Sequence, residues 1–161
     1  MLTASFTFGR MRNVVQIIHT MLCGGIAVFI GVAWYLKGKL DTAKSLDATM
    51  LTTVGAVLSV SAIAIALVLP MFANKYLAGR PIESRMRNVV FTSILVAATL
   101  EAAALFWTVV SLLLQDVRFL ICSGVCLALM VALFPTQAKL ETTLGLSEEQ
   151  IDRALAARAS P

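Results

Sequence analysis

The chain has 161 residues, of which 59% are hydrophobic and only 14% charged, with a mean hydropathy of +0.88. A soluble domain is about 45–50% apolar and about 25% charged, so too few polar residues remain here for a water-facing surface. The net charge of +4 comes from basic residues clustered at the ends of apolar runs. No basic stripe interleaved with aromatics is present, which excludes the nucleic-acid-binding class.

A transmembrane helix needs roughly 20 mostly apolar residues, and four runs qualify, at about 14–36, 51–73, 89–114 and 118–135. The first follows Arg10 and Arg12, as a secretory leader would. Its length exceeds the roughly 7–15 apolar residues of a leader, so it predicts a retained span. It contains Gly24-Gly25 and ends at Trp34-Tyr35, an aromatic pair suited to the head-group region. The second carries Ser59 and Ser61 among alanines, with Pro70 near its end. The third contains Glu101 and closes on three leucines. The fourth is the shortest and stops at Phe134-Pro135.

A tail over 136–161 follows. Within it, Ser147-Glu148-Glu149-Gln150 reads as a capping box, in which the serine caps the first amides and Gln150 reaches back. This predicts a helix over 147–159 with Ile151 and Leu155 on one face. The simpler expectation is a solvated tail with one apolar edge; the sharper is a strip for a partner. The expected fold is therefore all-α. A single integral membrane domain has four transmembrane helices, arranged as two hairpins, and a short C-terminal cytoplasmic helix.

Basic residues set the expected orientation. Nine Lys and Arg lie in the N-terminal tail, the middle loop and the C-terminal tail, against four (Lys37, Lys39, Lys44 and Arg118) on the other side. The positive-inside rule puts both termini in the cytoplasm, of a bacterial-type inner membrane. Arg10-Met11-Arg12-Asn13-Val14-Val15 recurs as Arg85-Met86-Arg87-Asn88-Val89-Val90 just before the first and third runs, an offset of 75 residues. This suggests two hairpins in parallel orientation, related about an axis along the membrane normal; six residues are also compatible with coincidence.

Glu101 is the main candidate for chemistry. It lies 12 residues past Val89, roughly 18 Å along a helix and near the middle of a hydrocarbon core about 30 Å thick. A charge there costs at least about 2.5–3.5 kcal/mol. Its helical neighbours Ala97, Ala98 and Ala104 are small and allow another helix to approach, as Gly24 and Gly25 do on the first run. Ser59 and Ser61 lie at similar depth on the preceding span and offer hydroxyls to the carboxyl. Glu101 thus reads as an ion-binding group or as a protonated hydrogen-bonding group between helices. His19 is shallower and reads as an interfacial residue. Cys23, Cys122 and Cys126 read as small apolar fillers, and no metal-ligand spacing, phosphate loop or catalytic set is present.

The second and third runs with their loop resemble the ring-forming proteolipid (c) subunit of rotary ATP synthases. The resemblance rests on Val54-Gly55-Ala56, on Gly79-Arg80-Pro81, on the segment from Ala97 to Phe106 around Glu101, and on the apolar helix end Val109–Leu114. In that family a hairpin with an Arg/Pro-containing cytoplasmic loop presents a mid-membrane carboxylate that binds H⁺ or Na⁺. The resemblance implies this role for Glu101 and a loop role for Arg80 and Pro81.

The leading expectation is a non-enzymatic, proteolipid-like membrane subunit, with H⁺ or Na⁺ as its bound species and no other cofactor. It would work as a homo-oligomer or within a larger membrane complex, in contact with membrane lipid. A bound lipid is compatible with such a surface. The alternatives are a structural or accessory subunit of a larger complex and a small oligomeric transporter.

Overall fold

The computed structural model describes residues 8–39, 47–77 and 79–159. Six helices follow in order: α1 (Phe8–Leu36), α2 (Ala48–Leu77), α3 (Ile82–Leu114), α4 (Arg118–Ala132), α5 (Gln137–Leu144) and α6 (Glu148–Ala159). No strand occurs among the described residues. Much of the expected first loop, with Lys44, lies outside them, as do the side chains of Leu155 and Arg158.

Three helices, α1, α2 and α3, are long and apolar enough to cross a membrane. The 15 residues of α4 extend only about 22 Å, short of a core of about 30 Å. With α5 they reach the required length as a pair bent by 67°. Pro135 explains the bend. It has no N–H to give Val131, whose carbonyl instead accepts the amide of Phe134 at 3.1 Å. The chain restarts at Thr136, whose side chain accepts the amide of Lys139 as the cap of α5.

Helix α3 is the central element and packs on α1, α2 and α4. One core cluster joins Ile26 of α1, Ala62 and Ala66 of α2, Val96, Ala97, Leu100, Ala103 and Ala104 of α3, and Cys126 and Met130 of α4. A second lies at one end of the bundle: Phe8, Met11, Met86, Val89, Leu140, Leu144 and Ile151. The starts of α1 and α3 therefore lie together, and their middles meet in the first cluster, so the two helices run the same way. Helices α2 and α4 run against them.

The second cluster explains why α1 and α3 begin earlier than the apolar runs at 14 and 89. Both helices extend past the apolar zone to hold Phe8, Met11 and Met86 against the C-terminal helices. The two equivalent methionines of the repeated hexapeptide thus meet in one cluster. Arg12 of one copy donates to Gln137 Oε1 at 2.7 Å and lies 3.6 Å from Glu148. Arg85 of the other donates to the carbonyl of Leu144.

The C-terminal segment differs from a solvated tail. Ile151 is fully buried, and Asp152 accepts the amide of Phe8 at 3.1 Å. Ser147 and Gln150 exchange reciprocal bonds at the start of α6, of 3.0 and 3.4 Å. A 12-residue helix is marginal alone in water; burial of Ile151, about 1.5–3 kcal/mol, holds it on the bundle. At the opposite end Gln115, in the left-handed region with φ 54, accepts the amide of Gly38 at 2.6 Å.

Candidate functional site

Glu101 lies on α3 and is half-buried, close enough to Cys23 of α1 for an electrostatic interaction. No hydrogen bond or ion pair from the described residues ends on its carboxyl. The expected partners lie elsewhere. Ser59 Oγ accepts the indole N–H of Trp107 at 2.7 Å, and Ser61 is exposed on α2. The cause is helix rotation: Ser59 faces the aromatic side of α3, and Ser61, two residues on, points away from it.

The small residues divide in the same way. Ala97 and Ala104 are buried in the core between helices. Ala98, Gly24 and Gly25 face outward, and a methyl group added at either glycine would meet open space. Those three therefore pack against no helix among the described residues. Gly55 is where a glycine is needed: a Cβ there would lie 2.6 Å from Trp107 and 2.9 Å from Phe106.

Three polar ties cross the apolar interior. The first is Trp107–Ser59, with the indole also stacked on Phe119 at 5.5 Å. The second joins α3 and α4: Thr108 Oγ1 and Ser123 Oγ are 2.8 Å apart and each lies within 2.9 Å of the Ala104 carbonyl. The two hydroxyl protons are thus shared among three contacts, with the carbonyl accepting from one hydroxyl while that hydroxyl accepts from, or alternates with, the other. The third joins α1 and α4. His19 is 4% exposed and lies 2.8 Å from the carbonyl of Met130. A carbonyl can only accept, so Nε2 bears the proton. The Phe134 amide that would bond Met130 in a continuous helix turns to Val131 instead, which leaves this carbonyl for the histidine. The Phe134 ring meets the imidazole edge-on at 5.2 Å.

Beneath the end of α4 lies a cavity of about 170 Å³, bordered by His19, Pro70, Thr92, Ser93, Pro135 and Lys139. Pro70 deprives the Ala66 carbonyl, also on this wall, of its helical donor. The cavity is thus a small, mostly apolar space with hydroxyls, a histidine and a lysine on its rim. Its parts come from helices far apart in sequence. The two prolines at the ends of even-numbered runs were the one local signal for it. Trp107, Thr108 and Ser123 had none, because each is a single residue whose partner is set by helix rotation.

Arg80 and Pro81 are exposed in the α2–α3 connection, with the Pro81 carbonyl accepting the amide of Arg85 at 3.2 Å as α3 begins. Cys126 is buried in the core, while Cys23 and Cys122 are half-buried; all three are free thiols. No cluster of three or more His, Cys, Asp or Glu residues suited to a metal occurs among the described residues. Comparison of the chain with protein-family models, with curated proteins and with solved structures finds no match.

Proposed function

We propose that the chain is a non-enzymatic subunit embedded in a bacterial-type inner membrane, in which Glu101 takes up and releases a proton within the bilayer. In this reading α1, α2, α3 and the bent α4–α5 segment are four spans, forming two parallel hairpins. Both termini and α6 lie on the cytoplasmic side, and the subunit works as a homo-oligomer or within a larger complex. Exposed apolar surface supports the membrane placement. In its most hydrophobic window α2 has a mean hydropathy of 2.4, yet only 17% of that window is buried by the rest of the protein. Large side chains such as Met21, Val28, Val60, Leu67 and Ile121 point outward, where hydrocarbon suits them and water does not.

The observation that carries the proposal is the half-buried Glu101 carboxyl, on the central helix and with no donor among the described residues. The same geometry favours H⁺ over Na⁺. A sodium ion needs several oxygen ligands, whereas Ser59 is engaged by Trp107 and Ser61 faces away. A proton needs none. The test is labelling by a hydrophobic carbodiimide, which reacts with a protonated carboxyl in an apolar setting. Labelling should fall on Glu101, vanish in Glu101→Gln, decline as pH rises and ignore Na⁺. A wild-type protein that stays unlabelled in the membrane refutes the proposal, and protection by Na⁺ reassigns the ion.

A structural or accessory role is the second reading. It is favoured by the three polar ties, since Trp107–Ser59, Thr108–Ser123 and His19–Met130 all bond helices together. Under it, Glu101 bonds a helix of another subunit, and Glu101→Gln assembles and works as wild type because an amide still forms hydrogen bonds.

A further inference from the structure

Outside the Glu101 region, the face shared by α2 and α3 combines two unlike surfaces. Where α3 begins, Arg80, Ser84, Arg87, Asn88 and Phe91 border a depression of about 440 Å³. Residues 84, 87, 88 and 91 follow helical spacing and so form one stripe. Arg80 and Arg87 are exposed, and neither has an ion pair or hydrogen bond among the described residues. Glu83, the carboxylate on the same turn, is engaged in an interaction of its own.

One turn further along the stripe, Leu95 joins Ala64, Ile65, Val68, Leu69 and Phe72 of α2 around a groove of about 400 Å³ with apolar walls throughout. Phe91 belongs to the first surface and Leu95 to the second, and they are successive on the helix. The two guanidiniums, a hydroxyl and an amide therefore border a depression one helical turn from an open apolar groove between α2 and α3.

We infer that the α2–α3 face binds an anionic glycerophospholipid, with its phosphate at Arg80 and Arg87 and an acyl chain along the groove from Phe72 to Ala64. Arginine holds a phosphate through two parallel N–H bonds, and basic pockets beside membrane helices at the cytoplasmic surface recognise anionic head groups. Ser84 and Asn88 add neutral donors on the same stripe. A soluble phosphate compound would satisfy the arginines but not the groove. A neutral lipid would satisfy the groove and leave two cations unpaired. The inference shares with the proposed function its membrane placement and the cytoplasmic position of the α2–α3 connection, and Glu101 has no part in it.

The test uses the full chain in detergent micelles, with bound lipid read by native mass spectrometry and by the melting temperature. Added phosphatidylglycerol should bind at one molecule per chain and raise the melting temperature; phosphatidylcholine and glycerol 3-phosphate should do neither. Arg80→Gln with Arg87→Gln should weaken phosphatidylglycerol binding by about tenfold or more. Ala64→Phe, which fills the groove and leaves the arginines intact, should also weaken it. Glu101→Gln should leave it unchanged, which separates failure here from failure of the proton proposal.

Equal binding of phosphatidylcholine and phosphatidylglycerol overturns the inference. So does full binding by the double arginine variant, or by Ala64→Phe should the arginine variant not assemble. Disulfide cross-linking of Ala64→Cys between two copies in lipid-depleted protein, unaffected by added phosphatidylglycerol, also overturns it and assigns the groove to a second chain.

Discussion

Trp107 donates its indole N–H to Ser59 Oγ at 2.7 Å, and one helical turn away Gly55 leaves the space its ring occupies. This pair fastens α2, the outermost helix, to α3. Gly55→Ala should destabilise the protein by about 1–3 kcal/mol, because the ring must move off Phe119 or the helices must part. Ser59→Ala should cost less, about 0.6 and at most about 1.7 kcal/mol, the range of single hydrogen bonds between membrane helices. Thermal unfolding in one detergent, followed by Trp fluorescence, orders the two; a larger loss in Ser59→Ala would show that the bond and not the close approach holds α2.

The Thr108–Ser123 pair makes a separate prediction. Both hydroxyls converge on the Ala104 carbonyl and both residues are fully buried. Thr108→Val and Ser123→Ala should each destabilise the α3–α4 contact, and the double variant should lose less than the two added together. The expected coupling is about 0.5–1.5 kcal/mol. Strict additivity in a double-mutant cycle would mean that the hydroxyls act independently.

Much of the fold was legible in the sequence because hydrophobic length is a strong signal. The apolar runs, the weakness of the fourth and the capping box at Ser147 each depend on residues close in the chain. The site was less legible because it depends on rotation about helix axes. Depth along a helix follows from counting residues, and it put Ser59 and Ser61 near Glu101. Direction does not follow in an all-apolar helix, whose periodicity is flat. Ser59 turned out to face Trp107. His19 was placed by depth alone, which says nothing of the carbonyl that the early stop of α4 at Pro135 presents to it. The repeated Arg-Met-Arg-Asn-Val-Val had a plain sequence signal, but its packing role appeared only with α5 and α6 in place.

His19 and Pro135 form one device, which predicts opposite kinds of damage. His19→Phe keeps the ring volume and its contact with Phe134 but leaves the Met130 carbonyl without a donor. It should cost about 1–3 kcal/mol, the penalty for an unsatisfied buried acceptor. Pro135→Ala restores an N–H for Val131 and lets α4 continue, which swings α5 away from the bundle end. Lys139, whose ammonium bonds the Ala132 carbonyl across this bend, should then become a faster site of trypsin cleavage. An unchanged cleavage rate would show that the 67° bend is set by α5 docking and not by the proline.

The end cluster predicts that the two repeat copies act through one structure. Met11 and Met86 both pack in the cluster that buries Leu140, Leu144 and Ile151. Ile151→Ala should destabilise α6 by about 2–5 kcal/mol and, by unfolding it, speed trypsin cleavage at Arg153, while leaving α1–α4 folded, because the other core cluster lies apart from it. Met11→Ala and Met86→Ala should each have a smaller effect of the same kind. Methionine is flexible, and a neighbour can fill part of the space left by the first truncation. The second truncation removes that reserve, so the double variant should lose more than the sum. Release of α6 measured by proteolysis in all three variants decides this. Losses that simply add would mean that each methionine holds the C-terminal helices through contacts of its own.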